Sequence, residues 1–213
     1  MIYPRIGLAS DLEVNTIAEL AEAYGKFVGV RTNHVMTVDG AFWDSRGSSR
    51  GITNSNDLQL LLKLRSLSDL VLVDAKTARL EGYRKPKHAS LGVVSRSGDF
   101  SGIPAVENGQ AGVLLFSAAN DLESDSQKFK LDPARPFGDI VTLCNEMGIK
   151  SILLEAGPTL TKLAFQEKIV GQSALTVTGY GSEKVTPRNP WDSKAKLLSL
   201  AVEPGASYSL WSH

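Results

Sequence analysis

The chain has one cysteine, Cys144, in 213 residues, which excludes an intramolecular disulfide framework and suits a cytosolic protein. Its three histidines, His34, His88 and His213, show no ligand spacing, so no zinc or other metal site is expected. Net charge is lacking too. Twenty-three Lys and Arg cancel 23 Asp and Glu without a basic block, so a nucleic-acid partner is not expected. No apolar run approaches the roughly 20 residues that span a bilayer. The start, Met1-Ile2-Tyr3-Pro4-Arg5, lacks the basic-then-apolar order of a signal peptide. The expected location is cytoplasmic, away from membranes.

What is present is an ordinary globular composition, 42% hydrophobic and 22% charged, enough for one sizeable core. Ser10-Asp11-Leu12-Glu13 has capping-box spacing, and Ile17, Leu20, Ala21 and Tyr24 follow at helical intervals up to Gly25. Residues 1–26 are therefore expected to be an N-terminal arm and helix packing on a single domain, 27–213. A strand is predicted over Phe27–Thr32. A helix with a buried face of Leu58, Leu61, Leu62 and Leu64 is predicted to end near Leu67, with N-cap candidates at Asn54 to Asn56. Leu70-Val71-Leu72-Val73 is short and wholly apolar, as in a strand covered on both faces. Asp74–Glu81 reads as a polar segment beyond its end. Leu91–Val94 and Gly112–Phe116 are further strands, joined by connections at Phe100–Gln110 and Asn120–Pro136. Ile140, Val141, Leu143, Cys144 and Met147 mark a helical face closed by Gly148. After a strand at Ala174–Thr178, Glu203-Pro204-Gly205-Ala206 has the Pro-Gly centre of a type II turn and predicts a closing hairpin. Alternating strands and helices give an α/β fold with helices on both faces of a mostly parallel sheet and an antiparallel C-terminal edge.

The organising stretch is Lys150–Leu160. An apolar run ends in Glu155, and Gly157-Pro158 opens a helix at Thr159. Free N–H groups at such a strand-to-helix junction favour anions, and Pro158 suits the first helical position. Read alone, the stretch is equally an ordinary connection. Ser95-Arg96-Ser97, good chemistry for a phosphate monoester, also falls at a strand's carboxyl end, where ligands bind in sheets of this class. By themselves these three residues form a solvated loop, Asp39-Gly40 a turn, and Arg65 and Glu81 surface charges.

Four motifs in order give a more specific signal: Thr37-Val38-Asp39-Gly40, Leu64–Val73, Thr77–Tyr83 and Glu155-Ala156-Gly157-Pro158-Thr159-Leu160. Together they resemble the pyrimidine reductases of riboflavin biosynthesis, whose fold is like dihydrofolate reductase, over about Phe27 to Glu183. The resemblance implies an NADPH-dependent reductase transferring hydride to the ribosyl carbon of a phosphoribosylaminopyrimidine, and a homodimer, to which the apolar Tyr208–Trp211 tail would contribute. It implies cofactor contacts at Thr77, Ser95, Arg96, Gly157, Pro158, Thr159 and Leu160. Ser49, Arg65 and Glu81 would hold substrate, and Glu155 and Asp39 would stand on the catalytic side. Asp74 and Lys76 replace the family's glycines. A unit charge ~5 Å from a diphosphate, at an effective dielectric of ~20, repels it by roughly 3 kcal/mol. The alternative expectation is thus a divergent or non-catalytic relative with impaired NADPH binding.

Overall fold

The computed structural model describes residues 14–119, 127–180 and 194–213. Helix α1 spans Ile17–Tyr24 and starts at a capping box in which Thr16 and Glu19 satisfy each other's backbone N–H groups. The expected box at Ser10–Glu13 lies outside the described residues. Strand β1 covers Gly29–Thr37, five residues past the predicted end, because its second half pairs with a strand far along the chain. Helix α2, Ser55–Ser66, is capped by the Asn54 side chain and buries Asp57, Leu60 and Leu64, so Leu58 and Leu62, expected on its inner face, are exposed instead. Strand β2, Leu70–Asp74, is followed at once by α3, Ala75–Glu81.

That last element corrects the reading of Asp74–Glu81 as an irregular polar segment. Asp74 is the N-cap of α3, and Gly82 ends it in the left-handed conformation. The polarity is that of a short helix with Ala75 and Ala78 turned inward.

Strands β3 (Ser90–Ser95) and β4 (Val113–Ser117) flank a one-turn helix, α4 (Pro104–Glu107), inside a segment expected to be a plain connection. The short β5 (Lys128–Lys130), α5 (Pro136–Glu146), β6 (Ser151–Leu154) and α6 (Pro158–Gln166) come next. The last elements are β7 (Val170–Thr178), β8 (Lys196–Glu203) and β9 (Ala206–Ser212). They form one nine-stranded sheet in the order β5-β4-β3-β2-β6-β1-β7-β9-β8. All neighbours run parallel through β7, and the β8–β9 hairpin adds antiparallel, with Gly205 at φ +87° in its turn.

Alternation along the strands sorts the core into two faces. Leu70, Leu72, Ile152 and Leu154 pack with Phe137, Ile140 and Cys144 of α5 and Ala164 of α6. Val71, Val73, Leu91 and Val93 meet Ala75 and Ala78 of α3 and Ala105 of α4. Leu60 and Leu64 of α2 meet α1 and the C-terminal strands. The four residues Leu70–Val73 are fully buried, each worth about 1.5–3 kcal/mol relative to exposure. Cys144 belongs to this core, and burial pushes its thiol up to about 12. Tyr208 and Leu210 are core residues beside Leu60 and Leu64, so the tail is no exposed apolar surface for a dimer. Among the described residues no helix is long and apolar enough to cross a membrane.

Candidate active site

A cleft of about 490 Å³ opens beyond the ends of β2 and β6, beside the middle of β1. Its lining includes His34 from β1, Asp57 and Arg65 from α2, Thr77 from α3, Tyr83 beyond it, and Glu155 to Pro158. β6 stops at this level because Gly157-Pro158 turns the chain into α6, with Pro158 at a position that needs no N–H donor.

Glu155 is not a free carboxylate. Arg65 grips it from α2, Nε donating to Oε1 at 2.9 Å and Nη2 to Oε2 at 2.6 Å. The Tyr83 hydroxyl donates to Oε2 at 2.7 Å, and the guanidinium lies 5.0 Å from the Tyr83 ring centroid. Side-chain exposures of 20% for Arg65 and 4% for Glu155 make this a largely buried, bidentate pair. Burial works against the Arg65 charge, but Glu155 outweighs it and holds that group above its ordinary range. Burial, then the Glu155 charge, raises the Tyr83 phenol well above its usual value. Arg65 and Glu155, expected as separate contacts, thus form one clamp with Tyr83, to which no role was assigned. Arg65 has Nη1 outside the pairing, while the Glu155 oxygens are both taken.

Asp57 is the other buried carboxyl of the cleft, 5% exposed, and sequence reasoning missed it. Thr53 Oγ1 donates to its Oδ2, and the Thr176 hydroxyl approaches it from β7; no cation is among its partners. Burial raises its pKa, and the two hydroxyls offset this only in part. The only cue in the sequence was an acid three residues after Asn54, which equally marks a helix start. His34 is the second omission. Its Nε2 lies 3.0 Å from the Ala156 carbonyl and 3.2 Å from Thr161 Oγ1, so the ring donates from Nε2. The buried Nδ1 has no hydrogen-bond partner, and burial lowers the imidazole pKa, so the ring is neutral.

The remaining expected residues fall into two groups. Thr77, Gly157, Pro158, Ser49 and Glu81 line the cleft, whereas Asp39, Ser95, Arg96, Thr159 and Leu160 do not. Glu81 ties the preceding loop to α3, accepting from Ser48 Oγ at 2.8 Å and Ser49 N at 3.1 Å and pairing with Arg50 at 3.0 Å. Asp39 is exposed beyond β1 and accepts from Thr37 Oγ1. Ser95 and Ser97 face each other at 3.4 Å beside exposed Arg96. They lie one strand beyond Asp74, whose register partner is Val94.

Asp74 holds three donors. Its Oδ1 accepts from Thr77 N at 2.8 Å, and its Oδ2 accepts from Thr77 Oγ1 at 2.8 Å and from Gly157 N at 2.7 Å. A Cβ added to Gly157 would meet Asp74 Oδ2 at 3.3 Å and Thr77 Oγ1 at 3.4 Å. Exposed Lys76 is not among its partners. A carboxylate thus already uses the N–H and hydroxyl donors where α3 and α6 begin. Among the described residues no group of three or more His, Cys, Asp or Glu gathers that could hold a metal.

Residues 29–180 match the RibD C-terminal domain family. No curated protein matches the chain. It is similar in structure to a pyrimidine reductase-like protein of Corynebacterium diphtheriae, 17% identical, with a TM-score of 0.72 over 93% of this chain and 98% of that one. A diaminohydroxyphosphoribosylaminopyrimidine deaminase/5-amino-6-(5-phosphoribosylamino)uracil reductase of Thermotoga maritima is 18% identical, with a TM-score of 0.72 over 92% of this chain and 59% of that one. Dihydrofolate reductase of Enterococcus faecalis, complexed with NADP(H), gives a TM-score of 0.58 at 10% identity, over 86% and 95%. At these identities the solved structures speak for the fold alone. The family match spans most of the sequence: the chain belongs to the RibD C-terminal domain family, pyrimidine reductases of riboflavin biosynthesis with the dihydrofolate-reductase-like fold.

Proposed function

We propose that the chain is a reductase of a phosphoribosylaminopyrimidine, taking hydride from NADPH to the ribosyl carbon. The observation that carries the reading is the Arg65–Glu155–Tyr83 clamp, built from three of the four motifs and set in the wall of the cleft. NADPH would supply the hydride; the protein's part is to hold and orient the pyrimidine. Glu155 does so as a positioning carboxylate that fixes Arg65 and Tyr83. Asp57, when protonated, offers a donor beside an acceptor, and His34 Nδ1 adds an acceptor; both suit the polar edge of a nitrogen heterocycle. Arg84 and Lys85 line the cleft, have no carboxylate partner among the described residues, and suit a ribose phosphate. Asp39, Ser49 and Glu81 are proposed on the substrate side, with Glu81 acting through the loop it fastens. Thr77, Ser95, Arg96 and Gly157–Leu160 are proposed on the cofactor side.

The test is turnover of 5-amino-6-(5-phosphoribosylamino)uracil, followed by loss of reduced-nicotinamide absorbance. It is run with millimolar NADPH on wild type and on Asp74→Asn. No oxidation above background in either protein would sink the reading. The family resemblance also makes a cytoplasmic homodimer the proposed setting.

A further inference from the structure

We infer that Asp74 determines cofactor affinity by acting as an internal anion. Its carboxylate takes the hydrogen bonds that a dinucleotide's diphosphate would otherwise receive where α3 and α6 begin. This rests on the NADPH reading above and concerns the residue that departs from it.

Three observations carry the inference. Both carboxylate oxygens are engaged, by Thr77 N, Thr77 Oγ1 and Gly157 N, at 2.7–2.8 Å. These bonds link two separate elements, so Asp74 does more than cap its own helix. The carboxylate also lies close to the Gly157 backbone, since an ideal Cβ there would meet Asp74 Oδ2 at 3.3 Å. Among the described residues no cation is a partner of the group, and Lys76 is exposed. An incoming diphosphate therefore meets a like charge and donors already in use. It binds only when Asp74 gives up Gly157 N and Thr77 Oγ1. From one unit of like charge at ~5 Å and an effective dielectric of ~20, the handicap is on the order of a hundredfold in affinity. Because the diphosphate is common to both nicotinamide dinucleotides, the handicap falls equally on NADPH and NADH. Discrimination between those two belongs to groups elsewhere.

The experiment is fluorescence titration of the full chain with NADPH and, separately, NADH, for wild type, Asp74→Asn and Asp74→Ala. Asparagine keeps one oxygen to accept from Thr77 N, so α3 stays capped while the charge and the acceptor for Gly157 N are lost. Both variants are expected to bind each dinucleotide about a hundredfold more tightly than wild type. Wild type binding as tightly as Asp74→Asn overturns the inference and leaves the NADPH reading intact. A gain in Asp74→Ala alone assigns the effect to bulk and overturns the inference as a matter of charge. No binding by any of the three overturns the NADPH reading, and this inference with it.

Discussion

Two buried carboxyl groups face one cleft from opposite circumstances. Glu155 has a guanidinium and a phenol; Asp57 has the Thr53 hydroxyl and, among the described residues, no cation. The first-turn dipole of α2 favours the charged form of Asp57 by about 0.3–1 kcal/mol, yet burial prevails and its pKa is raised. A raised folded-state pKa means that protonated Asp57 supports the fold fully below the unfolded carboxylate value, near ~3.9. That support is lost as pH rises through the folded pKa. Asp57→Asn, neutral throughout, should therefore gain on wild type as pH rises. Urea midpoints at pH 4 should nearly coincide, and at pH 8 the variant's should be higher. A gap independent of pH would refute the buried-acid account. None of this was legible in Asn54-Ser55-Asn56-Asp57, four polar residues in a row. Its Thr176 neighbour comes from a strand more than a hundred residues later. Asp74 was legible as a charge near a phosphate position, but its geometry was not: an acid before Ala75-Lys76-Thr77 becomes an N-cap only because those residues are helical.

At the scale of elements, the Arg65–Glu155–Tyr83 clamp joins α2, the end of β6 and the chain just past α3. Breaking one side of a buried pair leaves the other charge without a counter-ion, at a cost of about 3–5 kcal/mol. Arg65→Met alone should lose that much by chemical denaturation. Arg65→Met with Glu155→Leu should recover a large part of it. If the double variant is as unstable as the single changes added together, the two residues are not coupled. The individual elements were readable where periodicity was strong: α2, β2, α5 and the β8–β9 hairpin stand close to expectation. Helix α3 was not readable, since seven residues with two small buried positions carry too little pattern. The early end predicted for β1 has a related cause. Its second half holds Asn33, His34 and Thr37, and it is a strand because β7 pairs with it.

For the whole molecule, Tyr208 and Leu210 are enclosed by α1, α2 and their neighbouring strands, which leaves Trp211, half-buried, as the residue of that tail a homodimer could use. Light scattering should return the mass of two chains, and the mass of one would reject the dimer. The layout of helices and strands, and hence the fold class, could be taken from alternation in the sequence. The strand order could not. It depends on which apolar runs meet across long intervals, and no local pattern records that.

The order also has a consequence for how the protein is made. β1 lies between β6 and β7, with Gly29 opposite Ser151 and Val30 opposite Val170. On a ribosome adding ~5–20 residues per second, β1 leaves the exit tunnel roughly 6–24 s before the first of its two neighbours. Throughout that interval the strand that brings His34 to the cleft has both edges bare. Such an edge is open to pairing with a neighbouring nascent chain. Yield in a cell should thus depend on the pace of translation and the supply of chaperones as well as on the stability of the finished sheet.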